Sequence, residues 1–271
     1  MPGVLPSRRA RLQAAVDQLI WFHSFDLGSG VRTAGIKSAE TLQSEWGALA
    51  LPPLAGKSVL DIGAWDGWFS FQCEEAGADR VVALDHYAWA LNHAAQRAYF
   101  LRCLEEGVTP AEWENVPELW DETLPGKRPF DLVHDHRRSK VKTVVADFPS
   151  TDAPDLEPFD IVLFLGVLYH LRDPFLALRR VAGVTRELAI VETVCVVIPS
   201  HEHHPLWELF PTDELNGDPS NWWAANAKGI ESMCRAAGFR RVEFMSRASE
   251  TEPPAEGHDY HYGRTILHAY K

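Results

Sequence analysis

Ser58-Val-Leu-Asp-Ile-Gly-Ala-Trp-Asp-Gly67 decides the fold. Ser58 to Ile62 is mostly apolar without alternation, the pattern of a strand buried on both faces. Gly63 and Gly67 then turn the chain, and Trp68 to Glu75 reads as a helix. Strand, glycine turn and helix together form the first half of a βαβ unit. Glycine lets a ligand approach the backbone, and the helix N-terminus behind it presents free N–H groups.

The spacing is Asp-x-Gly-x-x-x-Gly rather than the dinucleotide G-x-G-x-x-G, and Asp66 would repel a pyrophosphate. Asp61, at the strand end, instead suits a ligand with a cationic amine, and the sulfonium compound S-adenosylmethionine has that character. Asp85 closes a second strand, Arg80–Asp85, where a carboxylate can accept hydrogen bonds from ribose hydroxyls. Asp147-Phe148 follows a third strand, Val141–Ala146, placing an acid for an adenine amino group beside an aromatic ring that can stack on it. Each acid alone could simply cap a helix. Three at successive strand ends specify a site.

Further along, strands are expected at Phe159–Leu165, Glu187–Val197, Arg241–Ser246 and Thr265–Tyr270. Helices are expected at Ala88–Glu106, Pro174–Val184 and Ala227–Ala237, the last stopped by Gly238. This alternation implies an α/β fold with a doubly wound, seven-stranded sheet. Upstream, residues 1–53 read as a helical extension or lid, with one helix over Arg8–Phe22 and another ending at Trp46 before Pro52-Pro53. The main domain is then 54–271, interrupted by irregular segments at 107–129 and 199–224. Long irregular segments in a compact domain are commonly functional lids.

The chain has 271 residues, 10 tryptophans and a formal charge of -12, from 26 Lys+Arg against 38 Asp+Glu. That charge argues against nucleic acid as a partner, because phosphate binding needs cations to displace counterions. Half of the tryptophans (Trp113, Trp120, Trp207, Trp222 and Trp223) fall in the two irregular segments. The four cysteines lack zinc-type spacing and read as reduced thiols. The longest apolar run, Ile161–Tyr169, is far below the ~18 residues a membrane span needs. A cytoplasmic protein with no membrane association is expected. His201-Glu-His-His204 lacks a helical His-Glu-x-x-His arrangement, so no metal is expected.

Leu165-Gly-Val-Leu-Tyr-His-Leu-Arg-Asp-Pro174 resembles the Gly-Val-Leu-Tyr-His signature of the tRNA wobble-uridine carboxymethyltransferase family and its small-molecule relatives. These belong to the class I S-adenosylmethionine-dependent methyltransferases. Trp21-Phe-His-Ser-Phe-Asp-Leu-Gly28, Asn221-Trp-Trp223 and Ala237-Gly-Phe239 are similar to stretches in the same group. The resemblance implies a Rossmann-like sheet ending in an antiparallel strand pair. It also implies cofactor contacts at Gly63, Asp85, Asp147, Phe148, Leu165 and Tyr169, which Asp61, Gly67, Trp68 and His86 extend around the turn. Arg264 corresponds to a C-terminal arginine of the tRNA enzymes. Their lysine- and tryptophan-rich approach, which grips the extra carboxylate of carboxy-S-adenosylmethionine, is not reproduced here. Lys37 is the nearby candidate, and ordinary S-adenosylmethionine is the expected cofactor.

For an oxygen acceptor a base is needed, and histidine titrates in the right range. His170 is the first candidate, His23 the second, and Glu192 an acid within the fifth strand. A structural role for His170 is the alternative. Trp65 and Trp68 flank the glycine turn, one to cover the cofactor and the other to pack in the core. Trp222 and Trp223 are expected to wall a substrate pocket, together with Lys37 and Arg264; a homodimer interface is the alternative role for the tryptophan pair. The expected activity is O-methylation of a small hydrophobic or aromatic metabolite. A tRNA-modifying enzyme and a non-catalytic binding module are the competing readings.

Overall fold

Every residue of β1 (Ser58–Ile62) is buried, because the strand lies between two others with helices over both faces. In the computed structural model, residues 7–86, 90–111, 115–121, 123–148, 156–199, 201–248 and 259–271 are described. The expectations for Ala88, Trp113 and the start of the Ala88–Glu106 helix lie outside these residues.

β1 pairs in parallel with β2 (Arg80–Asp85), in register Val59↔Val81, and with β4 (Phe159–Leu165), Val59↔Ile161. β3 (Lys142–Val145) extends the sheet beyond β2, and β5 (Thr185–Val197) lies beyond β4. Because β2 and β4 take opposite sides of β1, the strand order reverses there. Open sheets bind ligands at the carboxyl ends of strands beside such a reversal. β9 (His261–Tyr270) runs antiparallel to β5, and β8 (Arg241–Ser246) antiparallel to β9.

The buried side chains divide by alternation. Val59, Val81, Ile161, Leu163 and Ile190 face a core shared with α2 (Ala39–Ala48), α3 (Trp68–Glu75) and α5 (Arg128–Arg137). Leu60, Val82, Val162, Phe164 and Val191 face the other core, under α6 (Pro174–Val184) and α7 (Ala227–Ala237). The remaining helices are α1 (Arg8–Val16) and α4 (His93–Glu106).

Two features depart from expectation. Among the described residues the sheet has nine strands, two more than the seven expected. The 199–224 segment and its boundary supply β6 (Trp207–Leu209) and β7 (Trp223–Ala225), each too short to show a period-2 pattern. β7 pairs with β5 at Cys195↔Ala225 while β9 occupies the other edge of Cys195 at Gly263, so β7 lies on the β4 side of β5. The hairpin therefore continues past the carboxyl end of β4.

The N-terminal extension is also less helical than its apolar spacing predicts. α1 stops at Val16, whose carbonyl accepts from the indole of buried Trp21 at 3.0 Å. Residues 22–37 fold back on themselves: Lys37 N–H donates to Phe22 O at 2.8 Å and Thr33 N–H to Phe25 O at 3.0 Å. Trp21, Phe25 and Val31 belong to the same core cluster as Val59 and Phe71, so the extension packs onto the sheet.

Candidate active site

The glycine turn is held open by two glycines with left-handed backbone, Gly63 at φ +78° and Gly67 at φ +87°. A Cβ on Gly63 would lie 2.3 Å from Val167 Cγ2, so glycine lets the loops after β1 and β4 approach each other. Gly67 caps α3 without a side-chain hydrogen bond.

Asp61 is 3% exposed and accepts from Ser70 Oγ at 2.5 Å. Burial, followed by the charge of Asp85, pushes its pKa up to about 6 against the pull of that hydrogen bond. Asp85 is 4% exposed, accepts from Trp65 N–H at 2.7 Å, and lies 4.0 Å from His86 Nδ1. Asp147 is half-buried just beyond β3, and buried Phe148 packs edge-on against Phe164 with centroids 6.0 Å apart. The three acids thus stand at the carboxyl ends of β1, β2 and β3, or just past them.

Of the two tryptophans flanking the turn, Trp68 is the one packed in the core. Its ring is buried against Trp46, 6.2 Å away, and Phe69, 4.9 Å away, because its position on α3 turns it toward α2. Trp65, with φ +55°, is the tryptophan at the turn, and it packs among Leu91, Val116, Leu119 and Trp120 of the segments before and after α4.

His23 and Asp66 meet across 43 residues of sequence. Asp66 turns away from the cofactor side of the loop and into the N-terminal segment, accepting from Phe22 N–H at 3.1 Å, His23 N–H at 2.9 Å and His23 Nδ1. His23 is accordingly buried in the packed extension, its Nδ1 against a carboxylate. Lys37 pairs with Glu45 at 2.8 Å and lies over the Phe22 ring, which in turn contacts Trp65.

Beyond β4, Gly166 N–H donates to Glu192 O at 3.0 Å, joining the Gly-Val-Leu-Tyr-His turn to β5. Leu165 ends β4, half-buried. Glu192 binds Arg264 of β9 with both carboxylate oxygens, and the Arg264 guanidinium reaches Tyr169 Oη at 3.4 Å and lies over its ring. Burial lifts the Tyr169 hydroxyl above its ordinary pKa, keeping it protonated near neutrality. The His170 ring tilts against Tyr169 with centroids 4.1 Å apart, and its Nδ1 lies 3.1 Å from Ser220 O and 3.0 Å from Ser220 Oγ.

The 199–224 segment closes over this turn. Trp222 N–H donates to Tyr169 O at 2.8 Å, its ring meets Phe100 of α4 at 5.3 Å, and Arg172 lies over it. Trp223 instead packs against Trp207 across the hairpin and donates to Arg172 O at 3.3 Å. A cleft of about 290 Å³ opens between α4 and the loop, lined by Ala94, Arg97, Gly217, Asp218 and Pro219. Among the described residues no cluster of His, Cys, Asp and Glu could hold a metal ion, and no helix is long and apolar enough to cross a membrane.

Residues whose roles sequence reasoning passed over are Asp66 as an anchor, and Ser220 with Asp218 beside His170. No local signal marks these roles, since Asp66 is met by Phe22 and His23 and Ser220 by His170, each more than forty residues away in sequence.

The donor set fits S-adenosylmethionine. Buried carboxylates at the ends of β1 and β2 suit its ammonium and ribose hydroxyls, and the Trp222 Nε1 donor is buried with no acceptor among the described residues. Asp61, Asp85, Asp147 and Phe148 are the groups that would hold it.

Comparison with known proteins agrees. Residues 38–243 match a family model described as a methyltransferase domain. The chain is similar to a tRNA U34 carboxymethyltransferase of Pseudomonas fluorescens (strain Pf0-1), 26% identical over 225 residues, 80% of this chain and 57% of that one. It is also similar to a tRNA U34 carboxymethyltransferase of Pseudomonas syringae pv. tomato (strain ATCC BAA-871 / DC3000), 28% identical over 216 residues, 77% of this chain and 54% of that one. The chain spans little more than half the length of these relatives. Among solved structures, the N-terminal domain of EvdMO1 with SAH bound shares the fold, with a TM-score of 0.59 at 16% identity over 98% of each chain. With its family match covering well over half of the sequence, the chain belongs to the methyltransferase-domain family, the class I S-adenosylmethionine-dependent methyltransferases.

Proposed function

We propose that this protein transfers the methyl group of S-adenosylmethionine to a hydroxyl of a small hydrophobic or aromatic acceptor. The observation that carries this reading is the convergence of Asp61, Asp85 and Asp147 with the Tyr169-His170 turn at one edge of the sheet, under an aromatic wall made by Trp222 and Phe100. Bound there, the cofactor supplies an electrophilic methyl on a sulfonium. Asp85 would hold the ribose hydroxyls and Phe148 would offer its ring to the adenine. Tyr169 stays a neutral hydroxyl, and His170 accepts the acceptor's proton. Most of the acceleration comes from holding acceptor and methyl in line in a dry site.

Calorimetric titration with S-adenosylmethionine and its demethylated product tests the cofactor assignment. Asp85→Ala is expected to weaken both at least about tenfold, the loss of one charge-assisted hydrogen-bond set. Unchanged affinity would overturn the role of Asp85.

The relatives' names favour a second reading, a tRNA wobble-uridine modifier, and run against the expectation drawn from the net charge. Two of the cations around the site are committed to carboxylates: Lys37 to Glu45 and Arg264 to Glu192. Filter binding of tRNA separates the readings. The small-acceptor reading expects no retention even at low salt, whereas a tRNA enzyme binds with a steep negative dependence on salt.

A further inference from the structure

The turn after β4 and the loop of residues 215–221 meet at His170, and their hydrogen bonds leave one consistent arrangement of protons. Ser220 Oγ carries a single proton, and Asp218 Oδ1 lies 2.6 Å from it. An ionised carboxylate only accepts, so the hydroxyl proton points at Asp218. Ser220 Oγ can then only accept from His170 Nδ1, 3.0 Å away. Ser220 O, 3.1 Å from the same nitrogen, is a carbonyl and also only accepts. Both contacts require the proton on Nδ1, which places the lone pair on Nε2.

The loop is itself rigidly placed. Ser220 N–H donates to Asp218 Oδ1 at 2.8 Å, Asn221 Nδ2 donates to Leu215 O at 2.9 Å, and Trp222 N–H reaches back to Tyr169 O. Ser220 is buried at 5% exposure, while Asp218 is half-buried at the wall of the cleft.

We propose that Asp218, acting through the Ser220 hydroxyl, is a positioning residue that fixes the Nδ1–H tautomer of His170 and raises the basicity of its Nε2. The proposal rests on the reading of His170 as the base. Charged and titratable groups stand on several elements around this turn, among them Asp173 at the start of α6, whose carboxylate accepts from Leu176 N–H at 2.8 Å. On its own turn are Tyr169 and Arg172. Glu192 of β5 and Arg264 of β9 form one ion pair, and Arg97 of α4 and Asp213 form another at 2.5 Å. These pairs cancel internally. Arg172 opposes a charged imidazolium, and the carboxylate of Asp218 favours it, because a negative charge joined by hydrogen bonds stabilises the protonated form.

Long-range proton–nitrogen spectra of protein labelled with [15N]histidine test the arrangement, with His170→Gln used to assign the His170 signals. The wild-type protein is expected to show the Nδ1–H form. Asp218→Asn and Ser220→Ala are each expected to lower the His170 pKa by about one unit. Ser220→Ala is expected to keep the tautomer, because the Ser220 carbonyl remains. His268, whose Nε2 meets Leu49 O at 2.8 Å far from this loop, reports whether each variant is folded. An Nε2–H tautomer in the wild type, or an unmoved pKa in both folded variants, would overturn the proposal. The base reading fails separately: His170→Gln would then still methylate whichever acceptor the wild type uses from a panel of phenols and sugars, with the spectra of the wild type unaltered.

Discussion

Asp61 shows how a single buried group can couple the site to stability. Its folded pKa is about 6, raised chiefly by burial, while in the unfolded chain it is an ordinary carboxyl. Between those values the folded protein holds a proton that the unfolded chain has released. Stability is therefore greatest below the unfolded pKa and falls as pH rises through the folded one. Asp61→Asn removes this titration while keeping an acceptor for Ser70. The stability of the variant relative to wild type, from urea unfolding, is expected to rise by on the order of 2 kcal/mol between about pH 4 and about pH 7. A difference that stays flat across that range would show that Asp61 is ionised in the fold. A constant offset carries no weight either way, since it reports only the fit of the amide.

At the scale of elements, the N-terminal segment is bound to the glycine turn through one carboxylate. Asp66→Ala would leave three donors without their acceptor, the N–H groups of Phe22 and His23 and the His23 ring, at a position whose side chain is 1% exposed. Unsatisfied buried donors cost about 1–3 kcal/mol each, so a loss of roughly 3 kcal/mol or more is expected. Hydrogen exchange locates the effect. The Phe22 and His23 amides should exchange much faster, whereas β4 amides should follow only the global change. Equal acceleration throughout would mean that the segment is not a separately anchored element. The strand–turn–helix Ser58–Glu75 was readable because its pattern is local: continuous apolar residues, then glycine, then a helical run. The course of residues 22–37 was not, because Trp21 ends α1 by packing into the sheet core and Asp66 captures the chain from 43 and 44 residues away.

For the whole molecule, β5 is the common wall. One edge carries β4 and β7, and the other carries β9 along ten paired residues. Ile190 is 0% exposed at its centre and belongs to the core that also holds the N-terminal extension. Ile190→Ala is expected to cost about 2–5 kcal/mol in denaturant unfolding, from lost transfer energy plus the cavity. Binding of the demethylated cofactor by the folded fraction should survive, because Ile190 points into the core below the site. If binding is lost while the protein stays folded, the cavity is transmitted to the strand ends.

Apolar periodicity and glycine placement by themselves determined the parallel sheet, its principal strands and the three acids at or near their ends. These properties repeat along the local chain, so they can be read without knowing where the chain goes. Only the tertiary structure decided that Trp65 rather than Trp68 stands at the turn, that Asp66 faces the extension, and that His170 answers to Ser220. It also decided that Glu192 and Arg264 neutralise each other. Each of those outcomes depends on a partner tens of residues away, with hydrogen-bond geometry and burial choosing between side chains that look equivalent in sequence.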